Sequence, residues 1–109
     1  MTDAVKVLGQ SNPAATTATD LYTVPAATSA TSSSLVVCNQ AGVAATFRIA
    51  VRVAALALTA KQYLYYDVPL PANDTFIATI GVTLAATDVV TVYASSATVS
   101  FGLFGVEVS

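Results

Sequence analysis

Between Phe47 and Val53 every odd residue is large and apolar (Phe47, Ile49, Val51, Val53), while Arg48 and Arg52 share the opposite face. A period of two is the signature of a strand with one face on a core and the other turned away. The segments Thr91-Val92-Tyr93, Thr75 to Ile80 and Lys61 to Val68 are rich in the β-branched and aromatic residues that strands favour. Turn signals separate these runs. Asn12-Pro13 closes a first strand around Val5 to Leu8, and Pro25 ends a short one at Leu21 to Val24. Asn39-Gln40-Ala41-Gly42 reads as a hairpin loop between two long strands. Pro69 and Pro71 mark an edge or corner, because proline removes a ladder donor. Near the end the apolar phase runs Val99, Phe101, Leu103 and then Phe104, Val106, Val108, so a bulge is expected at Gly102 to Gly105. Ala54 to Ala60 is too short for an independent helix and reads as a connection with at most one helical turn. Seven to nine strands with short links predict an all-β fold: a single antiparallel β-sandwich of jelly-roll or Ig-like type.

With 109 residues the chain fits one domain, 1–109, within which residues 1–20 are expected to supply an extended N-terminal arm. The Ala/Thr/Ser runs Ser11 to Asp20 and Ala26 to Ser34 read either as flexible linker or as extended segments lying on a neighbour. Leu21-Tyr22-Thr23-Val24 between them reads as an anchor. Only 9% of the residues are charged and the formal net charge is −2, against about 25% charged residues in ordinary soluble domains. The outward positions must therefore be filled largely by Ala, Thr and Ser, which cost little to desolvate. Such a surface suits a life against other protein; a weakly charged monomer is the alternative. Four Lys and Arg make no basic patch for nucleic acid. The apolar run Val53 to Leu58 is far short of the ~20 residues of a membrane helix. Met1-Thr2-Asp3 carries neither a basic start nor an apolar stretch, so no secretory signal is expected. Cys38, inside Leu35-Val36-Val37-Cys38, is expected as a buried structural thiol.

No histidine is present, which removes the commonest general base and metal ligand; one Cys without His supports no usual zinc site. Asp67, Asp74 and Asp88 fall at or beside turns, where a carboxylate bonds nearby backbone N–H groups. The five glycines match no phosphate-binding spacing. The expectation is a protein without catalytic residues, metal or cofactor. What remains is a candidate interface of Arg48, Arg52, Tyr63 and Tyr65. Tyr63 and Tyr65 share one face in a regular strand, with Leu64 and Tyr66 on the other. They read either as a sugar-stacking or partner-binding surface or as core and rim packing, and the two arginines as interface or solvated charges.

A series of segments runs through nearly the whole chain in order: Val7-Leu8-Gly9-Gln10-Ser11, Asp20-Leu21-Tyr22-Thr23-Val24-Pro25-Ala26, Ser34-Leu35-Val36-Val37-Cys38-Asn39, Thr46-Phe47-Arg48-Ile49-Ala50-Val51. Next come Tyr63-Leu64-Tyr65-Tyr66-Asp67, Ala72-Asn73-Asp74-Thr75-Phe76, Gly81-Val82-Thr83-Leu84, Thr87-Asp88-Val89-Val90, Val92-Tyr93-Ala94-Ser95 and Ser100-Phe101 through Gly105-Val106-Glu107-Val108. This string resembles a small structural protein of tailed bacteriophages, abundant among cyanophages and marine phages. Where many of those relatives carry glycine after Val24-Pro25-Ala26, Ala27 stands here. The resemblance implies a non-enzymatic virion component with a β-sandwich fold, made in the host cytoplasm and assembled on the particle. It implies a capsid decoration (cement) protein or, alternatively, a tail, baseplate or fibre component with host-glycan binding. The expected partners are the major capsid protein or other virion proteins, with the chain as a homodimer or homotrimer. From another class, a stand-alone carbohydrate-binding module is the further alternative.

Overall fold

The structure, a computed structural model, describes residues 2–109. Among these residues nine strands form two antiparallel sheets. Sheet A contains β1 (Asp3–Ser11), β9 (Val99–Val108), β3 (Ser29–Asn39) and β6 (Thr75–Ala78) in that order, with the short β7 (Thr83–Leu84) also paired to β3. Sheet B has the order β2 (Thr19–Thr23), β8 (Val89–Ala94), β4 (Ala45–Arg52), β5 (Tyr63–Leu70). The chain passes between sheets at nearly every link, so β1 and β2, β3 and β4, and β8 and β9 lie in opposite layers. First and last strands are neighbours. That order is a jelly roll; an Ig-type order would keep its first two strands in one sheet.

The core is what the alternation demands. Phe47 and Ile49 of β4, Val37 of β3, Val92 of β8 and Val99 of β9 are fully buried between the layers, each contributing roughly 1.5–3 kcal/mol by removal from water. Phe47 sits at the centre of an aromatic group, with ring centroids 5.1 Å from Phe76 and 6.3 Å from both Phe101 and Tyr65. Polar groups that enter the core are satisfied. The Asn39 amide donates to the carbonyls of Val43 (2.8 Å) and Pro71 (3.2 Å), while its oxygen accepts from the Ala41 N–H and the Thr98 hydroxyl. Asp88, at the break before β8, accepts from the N–H groups of Ala54 and Ala85, both at 2.9 Å. Asp74 accepts from the Thr75 N–H at 2.8 Å.

Several expectations need correcting. Asn39–Gly42 does not close a hairpin: β3 and β4 belong to different sheets, and the loop carries the chain across the sandwich. Ala26–Ser34 is not a free extended segment, since residues from Ser29 on form β3 inside sheet A, with Ala30 and Ser32 turned inward. Small residues there let β9 come close: a Cβ on Gly105 would meet the Thr31 carbonyl oxygen at 2.2 Å. Residues 12–18 are also held on their own domain, by Asn12 donating to the carbonyls of Ala97 and Val99 and by the Thr16 N–H donating to Ala94. Residues 3–11 of the expected arm are the edge strand β1.

The phase slip expected in β9 is absent. Val99, Phe101, Leu103 and Gly105 all face inward, and Phe104 and Val106 face out. The irregularity lies opposite, where the registers of β1 and β3 shift at Leu8 and Ser33. Cys38 is half-buried on the outer face, because Val37 and Asn39 take the inward positions. Ala54–Ala60 is the irregular β4–β5 connection, with 3-10 turns at Val53–Ala55 and Ala60–Gln62. Pro69 lies on β5, an edge strand as expected.

Candidate functional site

The four residues singled out by sequence fall in three environments. Two extra residues in β5 decide this: the register against β4 shifts between Val68 and Tyr65 and again at Leu64. Each bulge inverts the facing of the residues beyond it. Tyr65 therefore points inward, against Phe47 and Phe76 (5.3 Å). Tyr63 pairs with Ala50 on the outer face, where its ring meets that of Tyr66 edge-on at 5.0 Å. Tyr63 and Tyr65 thus do not share a face.

Arg48 lies flat on the outer face of sheet B between two aromatic rings, its guanidinium carbon 4.2 Å from the Tyr66 centroid and 4.3 Å from that of Tyr93. It donates two hydrogen bonds to Asp67, at 2.6 and 3.2 Å. That fork holds the Asp67 carboxyl below its ordinary pKa and raises that of the guanidinium. Arg52 serves a different end. It donates to Thr91 on the adjacent β8 and to Asp20 on β2 beyond it, both at 3.0 Å, and to the carbonyls of Ala55 and Leu56, so it ties the β4–β5 connection to the sheet. Both arginines are spent on contacts within the chain.

The outer face of sheet A is the opposite case. Alternation from the β1–β9 and β3–β9 registers turns Val5 and Val7 of β1, Phe104 and Val106 of β9, and Val36 of β3 to the same side. Ile77 of β6 joins them beside Val36. Val5 is 88% exposed and Ile77 62%. Gly102 makes room for the Phe104 ring, which lies back over it: a Cβ there would touch the ring at 3.1 Å. Shallow grooves run along both sides of Phe104, one lined by Val5, Val7 and Val106, the other by Gln10, Val36 and Cys38. From Val5 across to Ile77 the outward residues include no charge; Asp3 stands on the same face at its end, and Lys6 borders the groove beside Val5. Sequence reading misses this face because Phe104 and Val106 read as core after a slip. The signal is present in the odd positions of β9, which keep one phase if Gly105 is counted as inward.

At one end of the sandwich, Glu107 accepts a hydrogen bond from the Tyr22 hydroxyl and pairs with the Lys6 ammonium at 3.1 Å. Those two donors, Tyr22 first, pull the Glu107 carboxyl below its ordinary range. Burial, and then the bond to Glu107, pushes the Tyr22 phenol well above its usual value. Among the described residues no group of three or more His, Cys, Asp or Glu converges as a metal site would, and no helix is long and apolar enough to cross a membrane.

Comparison of the chain with protein-family models, with curated proteins and with solved structures finds no match.

Proposed function

We propose that this chain is a non-enzymatic structural protein of a tailed-phage particle: a capsid decoration protein that packs the outer face of sheet A against the major capsid protein. The observation that supports it is the uncharged apolar face from Val5 to Ile77, built on two rigid central strands and their neighbours. A surface of this kind gains from burial and loses little in ion desolvation. Rigid strands favour a docking plate, and a symmetric shell would offer the same site many times over. The string of motifs along the chain supports the phage assignment, and the lack of histidine supports the absence of catalysis.

Cosedimentation with capsid shells stripped of decoration tests the reading. Binding is expected to saturate at roughly hundreds of copies per shell, following the shell's symmetry. Val36→Lys, which puts a charge in the middle of the face, is expected to abolish it, whereas Arg48→Ala on the other sheet is expected to leave it unchanged. Saturation at a handful of copies at one vertex would sink the decoration reading in favour of a tail or baseplate position.

One observation favours the fibre reading. Tyr63 and Tyr66 stand with Leu58, Thr59 and Ala60 around an open hollow, the kind of aromatic shelf on which a sugar ring stacks. Selective glycan binding that Tyr66→Ala abolishes would support it.

A further inference from the structure

A sandwich has four sheet edges, and a strand left open at an edge is a template for another strand. Three edges here are blunted. β5 carries Pro69 and two bulges. β6 and β7 are four and two residues long. β2 has five residues and an irregular register at Leu21. The fourth edge, β1, is nine residues long and contains no proline. Its second half is closed: Leu8 sits at a register shift, and Gly9 lies so near β2 that a Cβ would meet the Leu21 carbonyl oxygen at 2.3 Å. Asp3 to Val7 is the open stretch.

The hydrogen-bond phase of that stretch is set by its first pair. Thr2 and Ser109 exchange both backbone bonds, 2.6 and 2.9 Å. In an antiparallel ladder such pairs alternate with non-bonded ones, so Ala4 and Lys6 turn their backbone groups toward β9. Asp3, Val5 and Val7 then turn theirs to the open edge. We infer that this edge pairs with the same edge of a second copy, antiparallel, about a two-fold axis passing through Val5.

The register is chosen by length, charge and the bulge: centring on Ala4 would engage only Asp3 to Val5 of the open stretch, whereas centring on Val5 engages all of it. Only a two-fold perpendicular to the sheet keeps both apolar faces on one side. With the axis at Val5, Val5 meets its own copy, Asp3 meets Val7 and Ala4 meets Lys6 of the second molecule, so no like charges face each other. Centring the pair on Lys6 opposes two ammonium groups, and centring it on Val7 runs into the irregularity at Leu8. Lys6 itself is already paired with Glu107. The seam covers Val5, the most exposed of the large apolar side chains among the described residues, and joins two sheet A faces into one continuous apolar surface. A seam of five residues is smaller than a standard protein interface, so the dimer is reversible in solution. The inference stands apart from the capsid reading, since it concerns the purified chain alone.

Sedimentation velocity of the purified chain across a concentration series tests it. A monomer–dimer equilibrium is expected, and Val5→Pro is expected to weaken it by more than about tenfold. The Val5 N–H faces the open edge, so proline there removes no ladder bond of the chain itself. Val5→Lys, which sets two cations across the axis, is expected to do the same should the proline variant not fold. In a Cys38→Ser background, Val5→Cys is expected to form a disulfide-linked dimer on oxidation, because bonded pairs stand about 5.5 Å apart at Cα, within disulfide reach. A chain that stays monomeric up to about 1 mM overturns the inference, as does a dimer indifferent to both Val5 substitutions.

Discussion

Alanine occupies left-handed backbone at three positions, Ala27, Ala54 and Ala55, with φ of 56°, 53° and 58°. A Cβ in that region costs roughly 1–2 kcal/mol, part of which glycine gives back as unfolded-state entropy. Ala27→Gly is therefore expected to stabilise the fold by about 0.5–1 kcal/mol in urea denaturation. Gly105 is the reverse case. Its missing Cβ lets β9 lie against Thr31 and Ser32, and Gly105→Ala is expected to cost about 1–3 kcal/mol by forcing the strands apart. Glu107, together with the exposed Asp67, shapes the acid side of the pH response. Its folded pKa lies below the ordinary 4.5, so its stabilisation is complete above that value and lost as pH falls through the folded one. Tyr22, raised above 10.0, loses its share as pH climbs from there. Thermal melts are expected to show a broad plateau between these limits. Glu107→Gln, which still accepts from Tyr22 but does not titrate, is expected to make the acid limb shallower, the share of Asp67 remaining.

At the scale of elements, the connections are held by single polar side chains that reach between loops. Asp88 accepts from the N–H groups before β8 and after β4 at once. Asp88→Ala leaves both unsatisfied and is expected to cost about 1–3 kcal/mol, read by the same denaturation measurement. The strands themselves are legible because alternation is written directly into Phe47–Val53 and the flanking runs. Their facing is not, wherever one extra residue inverts it. Leu64, Leu8 and Ser33 sit at such irregularities, yet none is a glycine or proline that would mark the place. In sequence Tyr65 therefore reads as a companion of Tyr63 when it belongs to the core. Pairing between strands is illegible for another reason. Asn39–Gly42 has the same turn chemistry whether the chain returns into its own sheet or crosses to the other. The crossing shows only in packing between residues far apart in sequence, as where Phe47 of one sheet meets Phe101 of the other.

For the whole molecule, the two outer faces divide the polar work. Sheet B gathers Arg48, Arg52, Asp20 and Asp67 into internal ion pairs, leaving few charges with unused partners. Sheet A keeps a plate whose outward charge, Asp3, stands only at its margin, and the open edge of β1 widens it. The low charge content that points to life against other protein is thus concentrated on one side, which composition alone does not reveal. The arginines read as interface groups because charges on a strand's far face are conspicuous in sequence, whereas an outward valine is indistinguishable from an inward one. Electron cryo-microscopy of a phage particle carrying this chain tests the central claim most directly. The expected map shows the sandwich repeated across the capsid exterior with Val36, Phe104 and Val106 against the major capsid protein. A map in which sheet A faces solvent, or in which the shell carries no copies, would contradict it.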